Sequence, residues 1–241
     1  MAKFASKTAF TVGLLVLLLA VPALGATVNK SVKIAAGSES GGASSVNGSI
    51  SVGEDAVVTG NLKTVNGTIR VDDGATIEKA STVNGGVRVS DKVKCESLST
   101  VNGSVKVGES ASVDGGLSAV NGRIVINHGS GVADDVTNVN GQIELTGAEV
   151  GGNIETVNGD ISLKDKSVVK GNIVVEKNSG WGWGKSKKRK PRIVIGPGSR
   201  VEGKIDLERE VELFISETAE VGSIEGVMSM DDAVRFSGDN P

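Results

Sequence analysis

The sequence is poor in the residues that most often build a reactive site. Its 241 residues include one cysteine, Cys95, one histidine, His128, and no tyrosine. A single cysteine excludes an internal disulfide, and a single histidine without a partner at ligand spacing argues against a metal site. We therefore predict no cofactor. We interpret Cys95 as a small apolar core residue and His128 as an exposed corner residue.

Aromatic residues are scarce as well, and none occurs in residues 28–175. A core without them must be built from valine, isoleucine, leucine and alanine, of which the β-branched members favour strands. A chain of this kind also lacks the stacking platforms expected of a sugar-binding groove. No glycine-rich phosphate loop precedes a helix, and no convincing helix is predicted after residue 25.

A short repeat dominates what is present. The tripeptide VNG occurs seven times from Val46 to Val157, at steps of 18 or 19 residues, and a weaker copy, VNKSVKI, starts at Val28. A fixed period in this range indicates a repeat architecture.

Five positions of each repeat are apolar or small, and polar residues alternate with them. In one copy these positions are Val105, Val107, Ala111, Val113 and Leu117. Alternation with period two indicates strands with one buried face. We predict an all-β fold: a single parallel β-helix, or β-solenoid, of about ten coils with three short strands each. The expected hand is right-handed, as in most parallel crossovers.

An antiparallel meander is the alternative, because Asn-Gly is the strongest short hairpin signal. In that arrangement Lys63 would lie opposite Arg70, which is an unfavourable like-charge pair. The resulting sheet would also have nothing against which to pack its apolar face. The solenoid is therefore favoured.

The asparagines of the repeat are predicted to stack at one corner of the solenoid. There they would hydrogen-bond along the stack and satisfy backbone groups, while Asn and Gly would accept a left-handed backbone. These predicted structural residues are Asn47, Asn66, Asn84, Asn102, Asn121, Asn140 and Asn158.

Two segments carry a family resemblance. The run IVIGPGSRVEGKIDLEREVELFISETAEVGSIEG resembles the bactofilin-like, polymer-forming solenoid repeats of bacteria. The repeated TVNGxI resembles an adhesin-like family of exported bacterial β-strand-repeat proteins. The resemblance implies a β-solenoid that self-assembles, and it supplies no catalytic residues. Bactofilin-like proteins are typically cytoplasmic or membrane-attached, so a signal peptide would depart from their pattern.

The first 25 residues are predicted to be such a signal peptide. Lys3 and Lys7 precede an apolar stretch from Phe10 to Val21, and small residues, Ala23 and Gly25, occupy the −3 and −1 positions of a cleavage site. An uncleaved anchor is the alternative.

The chain then divides into three parts. Residues 26–226 form the solenoid, a basic loop is inserted at about 176–192, and residues 227–241 form a C-terminal tail or cap.

The basic loop is the strongest candidate for binding. Residues 176–192 hold seven lysines and arginines against one acid, Glu176, in a chain whose net charge is −3. Cations and interfacial tryptophans together favour an anionic membrane surface, lipopolysaccharide or another polyanion such as a polysaccharide. Nucleic acid ranks lower, because exported proteins seldom meet it. The candidate binding residues are Trp181, Trp183, Lys185, Lys187, Lys188, Arg189, Lys190 and Arg192.

The acidic pairs Asp72-Asp73, Asp134-Asp135 and Asp231-Asp232 are predicted to lie at separate corners or in the tail, without a convergent lysine or arginine. We therefore expect a protein without enzymatic activity. We predict an exported structural or adhesin-like β-solenoid, periplasmic or associated with the cell envelope, whose ends self-associate. The alternative is a surface-binding protein that uses its loop.

Overall fold

The computed structural model describes residues 26–177 and 189–241, so predictions that fall on residues 1–25 and 178–188 lie outside the described residues. The described chain is built from short strands, with one 3-10 turn at Met230–Asp232. No helix in these two ranges is long and apolar enough to cross a membrane.

Thirty strands follow one another along the chain. The first ten are β1 (Ala26–Thr27), β2 (Val32–Ile34), β3 (Glu39–Ser40), β4 (Ala43–Ser45), β5 (Ile50–Val52), β6 (Val57–Val58), β7 (Leu62–Asn66), β8 (Ile69–Val71), β9 (Thr76–Ile77) and β10 (Lys79–Asn84). The next ten are β11 (Val87–Val89), β12 (Lys94–Cys95), β13 (Ser97–Asn102), β14 (Val105–Val107), β15 (Ser112–Val113), β16 (Leu117–Asn121), β17 (Ile124–Ile126), β18 (Gly131–Val132), β19 (Val136–Asn140) and β20 (Ile143–Thr146). The last ten are β21 (Glu149–Val150), β22 (Ile154–Thr156), β23 (Ile161–Lys164), β24 (Val168–Val169), β25 (Ile173–Val175), β26 (Arg192–Ile195), β27 (Arg200–Leu207), β28 (Glu212–Ser216), β29 (Glu220–Gly226) and β30 (Val234–Phe236).

The strands form three faces around one core. Face 1 is a sheet of eleven strands that begins at β2 and takes every third strand to β26, then β28 and β30. Face 2 begins at β3 and face 3 at β1, and their strands belong to one sheet of nineteen, because β27 and β29 each run through the corner between these faces. Ten successive coils result, each with a strand on every face.

Every strand pairing in the described chain is parallel, and like residues stack on like. Ile124 of β17, for example, is in register with Val105 below it and Ile143 above it. The parallel β-solenoid of ten coils is thus confirmed, and the hairpin alternative is wrong. A stack of this kind keeps each inward position inward in the next coil, which is why one apolar pattern repeats.

The core coincides with the five predicted columns. Their members are buried throughout, except Val32 in the first coil and Ala219, Val221 and Ile224 in the last, which are partly buried. End coils lack a neighbour on one side, so partial exposure there follows from the architecture.

The structure adds a sixth inward column that the sequence analysis missed. It is largely polar, and in the first four coils a threonine or serine hydroxyl donates to a backbone carbonyl of the preceding coil. Thr64 Oγ1 donates to the Gly48 oxygen at 2.8 Å, and Thr100 Oγ1 to the Gly85 oxygen at 2.8 Å. In the sequence this column contains the threonine of TVNG. Alternation along the strand places that threonine inward, although its side chain is not apolar.

The stacked asparagines hydrogen-bond to one another rather than to the backbone. Each amide nitrogen donates to the side-chain oxygen of the asparagine one coil earlier, as from Asn102 to Asn84 at 3.0 Å and from Asn121 to Asn102 at 3.0 Å. The row extends from Asn29 to Asn158 and is exposed to solvent. The predicted backbone role is therefore wrong: the corner amides bond to the next coil instead, as Gly103 N–H does to the Asn121 oxygen.

A left-handed backbone does not explain the VNG glycines either. None of the seven VNG asparagines has a positive φ, and among their glycines only Gly85 and Gly141 do. Glycine is required by space instead, because a Cβ at Gly122 would overlap the carbonyl oxygen of Gly103. Left-handed residues occur at the corner between faces 1 and 2, for example Asp55 and Lys92.

Neither the basic insertion nor the tail disturbs the stacking of the coils. Across the insertion the register is kept, with Ile161 paired to Ile193 and Ile173 to Ile205. After β29 the chain continues around the solenoid and forms β30 on face 1, parallel to β28. This strand buries Phe236.

Candidate functional site

Three regions of the solenoid could carry function: its two ends, the base of the basic insertion, and a groove on face 3. The course of the chain makes the two ends unlike each other.

The N-terminal end presents open strand edges. Within the described residues, the outer edges of β2 on face 1 and β3 on face 2 have no partner, while on face 3 the short strand β1 covers β4. The apolar residue Val28, which follows β1, is 66% exposed.

The C-terminal end is covered on a different face. Strand β30 lies over β28 on face 1, and Met228, Met230 and Ala233 pack against the core. The outer edge of β29, which spans faces 2 and 3, has no partner in the described chain. Within the residues that the structure describes, each end is therefore an incomplete coil, with one strand on face 3 at the N-terminal end and one strand on face 1 at the C-terminal end.

The base of the insertion holds three of the eight predicted binding residues. Arg189 Nη2 lies 2.7 Å from Asp160 Oδ2, and Lys190 Nζ lies 2.7 Å from Glu210 Oε2. Lys190 also holds the pKa of the Glu210 carboxyl below its ordinary value.

The third of these residues, Arg192, is held on face 1 by contacts with Phe214 and Asp160. Its guanidinium lies 4.6 Å from the centre of the Phe214 ring, and its backbone N–H donates to Asp160 Oδ1 at 2.9 Å. These residues thus anchor the insertion to the solenoid. The other five, Trp181, Trp183, Lys185, Lys187 and Lys188, lie outside the described residues.

Three carboxylates gather where the insertion leaves face 3. Burial raises the pKa of Glu176 to about 7, and the negative charges of Glu155 and Glu208 add to the rise. Burial also raises the pKa of Glu155, with a further contribution from Asp135. Glu208 accepts the Lys177 backbone N–H at 3.0 Å. The Glu176 carboxyl therefore titrates close to neutral pH.

The groove on face 3 has a volume of about 810 Å³ and is lined by small hydroxyl side chains. Its charged residues are separated, with Lys63 and Lys79 at one end and Asp134 and Asp135 at the other. Lys79 already pairs with Glu96 at 2.9 Å. Three coil steps, or ~14 Å, separate Lys79 from the aspartates, so the groove does not bring acid and base together.

The remaining reactive residues serve local structure. Cys95 is 3% exposed, and burial raises the pKa of its thiol to about 12, which keeps it neutral at physiological pH. His128 Nε2 lies 3.5 Å from Asp165 Oδ2 on the surface. Asp73 Oδ1 accepts the Asp91 backbone N–H at 3.1 Å, and Asp232 accepts that of Ser229 at 2.8 Å.

In the described ranges, His, Cys, Asp and Glu side chains form no group of three or more with the geometry of a metal site. No protein-family model matches the chain, and neither a curated protein nor a solved structure gives a significant match.

Proposed function

We propose that the chain is an exported structural β-solenoid of the bacterial envelope whose copies associate end to end, in the manner of polymer-forming or adhesin-like repeat proteins. One observation carries the proposal: the two incomplete end coils are complementary. Strand β30 supplies face 1 beyond the last coil, and β1 supplies face 3 before the first. Stacked head to tail, β30 of one copy and β1 of the next would share a single joining coil.

Such a joint would continue the backbone ladders of both copies. The outer edge of β30 would meet β2 of the next copy on face 1, and β29 would meet β1 on face 3. Open parallel edges are templates for strand addition.

The geometry predicts the dimensions of the polymer. Ten coils at a spacing of ~4.8 Å make a rod of roughly 48 Å, and one shared joining coil gives an axial repeat of roughly 53 Å per copy. Electron microscopy of the protein lacking residues 1–25 should show filaments one solenoid wide with this repeat.

A charge at the joint should block assembly. Val32→Lys changes an inward, partly exposed position of β2, whereas Val57→Lys changes an exposed, outward valine on face 2 of the second coil, which does not border the joint. We expect concentration-dependent sedimentation for the parent and for Val57→Lys, and monomers for Val32→Lys. A parent that stays monomeric at the highest accessible concentration would contradict the proposal.

A second candidate function rests on the anchored insertion. Arg189, Lys190 and Arg192 fix the C-terminal base of the insertion to the solenoid, and residues 178–188 precede this base in the sequence. That segment contains both tryptophans and three lysines, a composition that favours an anionic lipid surface.

Deletion of residues 178–188 tests the insertion while keeping its anchors. We expect loss of salt-sensitive binding to phosphatidylglycerol vesicles and an unchanged melting temperature, since the insertion lies outside the core columns. Neutral phosphatidylcholine vesicles are the control. Equal vesicle binding by the deleted and intact proteins would rule out a role for the insertion.

A further inference from the structure

Face 1 carries a row of cations on its outer surface, over the first half of the solenoid. Arg70, Arg88 and Lys106 are the outward residues of β8, β11 and β14, and the strand register places them directly above one another. Arg123 precedes β17 in the next coil. All four are exposed. We call them the basic row.

The basic row differs from the other stacked charges of the protein in having no counter-ions. Arg70, Arg88, Lys106 and Arg123 make no ion pair or side-chain hydrogen bond within the described residues. Elsewhere, five lysines and arginines pair with an acid in a neighbouring coil: Lys79–Glu96, Lys164–Glu144, Lys170–Glu149, Arg200–Glu220 and Lys204–Glu225. Like charges in direct register are unfavourable. The free protein therefore bears a repulsion here that its other faces avoid.

A shallow depression runs alongside the basic row. It has a volume of about 370 Å³ and is bordered by Thr68, Gly86 and Ser104 as well as by the cations. Gly86 has no side chain, which leaves a gap between the hydroxyls of Thr68 and Ser104. The one acid in the adjoining positions of these coils is Asp72, two positions after Arg70. Cations and hydroxyl groups thus lie side by side along the solenoid axis.

We propose that the basic row binds a linear acidic polysaccharide with a carboxylate on successive sugars, lying parallel to the solenoid axis. Arg70, Arg88 and Lys106 are separated by the coil spacing of ~4.8 Å, a distance close to the length of one sugar in an extended chain. Arg123 lies one coil further on and outside this register, because Lys106 is paired with Val125. Arginine matches a carboxylate with a two-pronged hydrogen bond, and three of the four cations are arginines. The border hydroxyls can bond to sugar hydroxyls, so this recognition would rest on charge and hydrogen bonds and not on the aromatic stacking that residues 28–175 lack.

Other polyanions fit the row less well. Single-stranded nucleic acid is usually held by aromatic stacking as well as charge, and no aromatic residue occurs in residues 28–175. The phosphates of double-stranded DNA recur every ~3.4 Å along each strand, which does not match the coil spacing. A membrane surface is engaged best by cations together with apolar or aromatic side chains, which the row lacks.

Polygalacturonate is a suitable probe, and Arg88 is the residue to change because it has a cation on either side. We expect Arg88→Gln to weaken polygalacturonate binding by roughly tenfold, the worth of a hydrogen-bonded charge. Relief of repulsion should also raise the melting temperature of the free protein. Weaker binding by a more stable protein is a combination that a purely structural role would not give.

Lys94→Gln is the matched control. It removes one exposed cation from the same coil on face 2, and the basic insertion is unchanged in both variants. We expect this variant to bind like the parent, and neutral dextran not to bind at all. Binding that improves with oligogalacturonate length up to the span of the row would support alignment along the axis.

Three results would overturn the proposal. The first is unchanged binding by Arg88→Gln, and the second is equal weakening by Lys94→Gln. The third is tighter Arg88-dependent binding to DNA or to phosphatidylglycerol vesicles than to polygalacturonate. A single copy of the chain carries the whole basic row. Binding of polygalacturonate by protein that sedimentation shows to be monomeric therefore tests this proposal separately from end-to-end association.

Discussion

Arg209 Nη1 donates a hydrogen bond to Asn158 Oδ1 at 2.9 Å and closes the asparagine row at its C-terminal end. The same nitrogen donates to the Val157 carbonyl oxygen at 3.2 Å. The row needs such an end group, because the insertion replaces the VNG corner that would otherwise continue it. A guanidinium that comes from the far side of the insertion supplies the last donor.

Loss of this end group should destabilise the coils next to the insertion. We expect Arg209→Ala to lower the free energy of unfolding by about 1 kcal/mol, since a partly buried charge-assisted hydrogen bond is removed. Hydrogen exchange should show faster opening near Val157 and little change near Val105. Uniform exchange along the whole solenoid would contradict a local role.

The buried threonines should matter more than the exposed asparagines of the same corner. Thr100→Val keeps the side-chain shape but leaves the buried Gly85 carbonyl without its hydroxyl donor, at a cost of about 1–3 kcal/mol. Asn102→Ala removes solvent-exposed amide bonds and should cost about 1 kcal/mol or less. Urea unfolding of both variants, with Ser99→Ala as an outward control, gives the ranking. The reverse order would show that the asparagine row dominates.

The VNG glycines are predicted to be intolerant of any side chain. At Gly122 a methyl group would overlap the Gly103 carbonyl oxygen, so Gly122→Ala should cost at least about 2 kcal/mol or shift the coil spacing. Gly131 is the matched control in the same coil, since an added Cβ there meets nothing within 4 Å. Thermal melts should separate the two alanine variants clearly. Similar melting temperatures would mean that the corner can open without cost.

Stability should depend on pH through Glu176. Its pKa is about 7 in the folded protein, against 4.5 as its ordinary value, so the folded state binds the extra proton between these values. The free energy of unfolding should therefore fall as pH rises from about 4.5 to 7. Glu176→Gln should flatten the profile in this window and stabilise the protein at higher pH.

The check is urea unfolding at a series of pH values for the parent, Glu176→Gln and Glu39→Gln. Glu39 lies on face 2 of the first coil, far from the carboxylate group. Profiles for the parent and Glu176→Gln with the same slope would show that another group is responsible.

The repeat, the strands and nearly all of the core follow from the sequence pattern. Alternation at Val105 and Val107 fixes which side chains point inward, because successive residues of a strand face opposite sides. The 18- or 19-residue step then predicts that Ile124 follows Val105 in the stack. The inward position of Thr100 was not predicted, because its side chain is polar and the predicted columns contain only apolar and small residues. Alternation alone would have identified the position, since it does not depend on polarity.

The folded coils were needed to show which stacked residues have a partner and which face each terminal strand covers. Arg70, Arg88 and Lys106 are 18 residues apart in the sequence, and their repulsion exists only because closed coils place them in register. The complementarity of β1 and β30 likewise depends on the face that each terminal strand joins. The physical reason is that alternation is a property of one strand, whereas contact between coils requires the chain to complete a full turn and return.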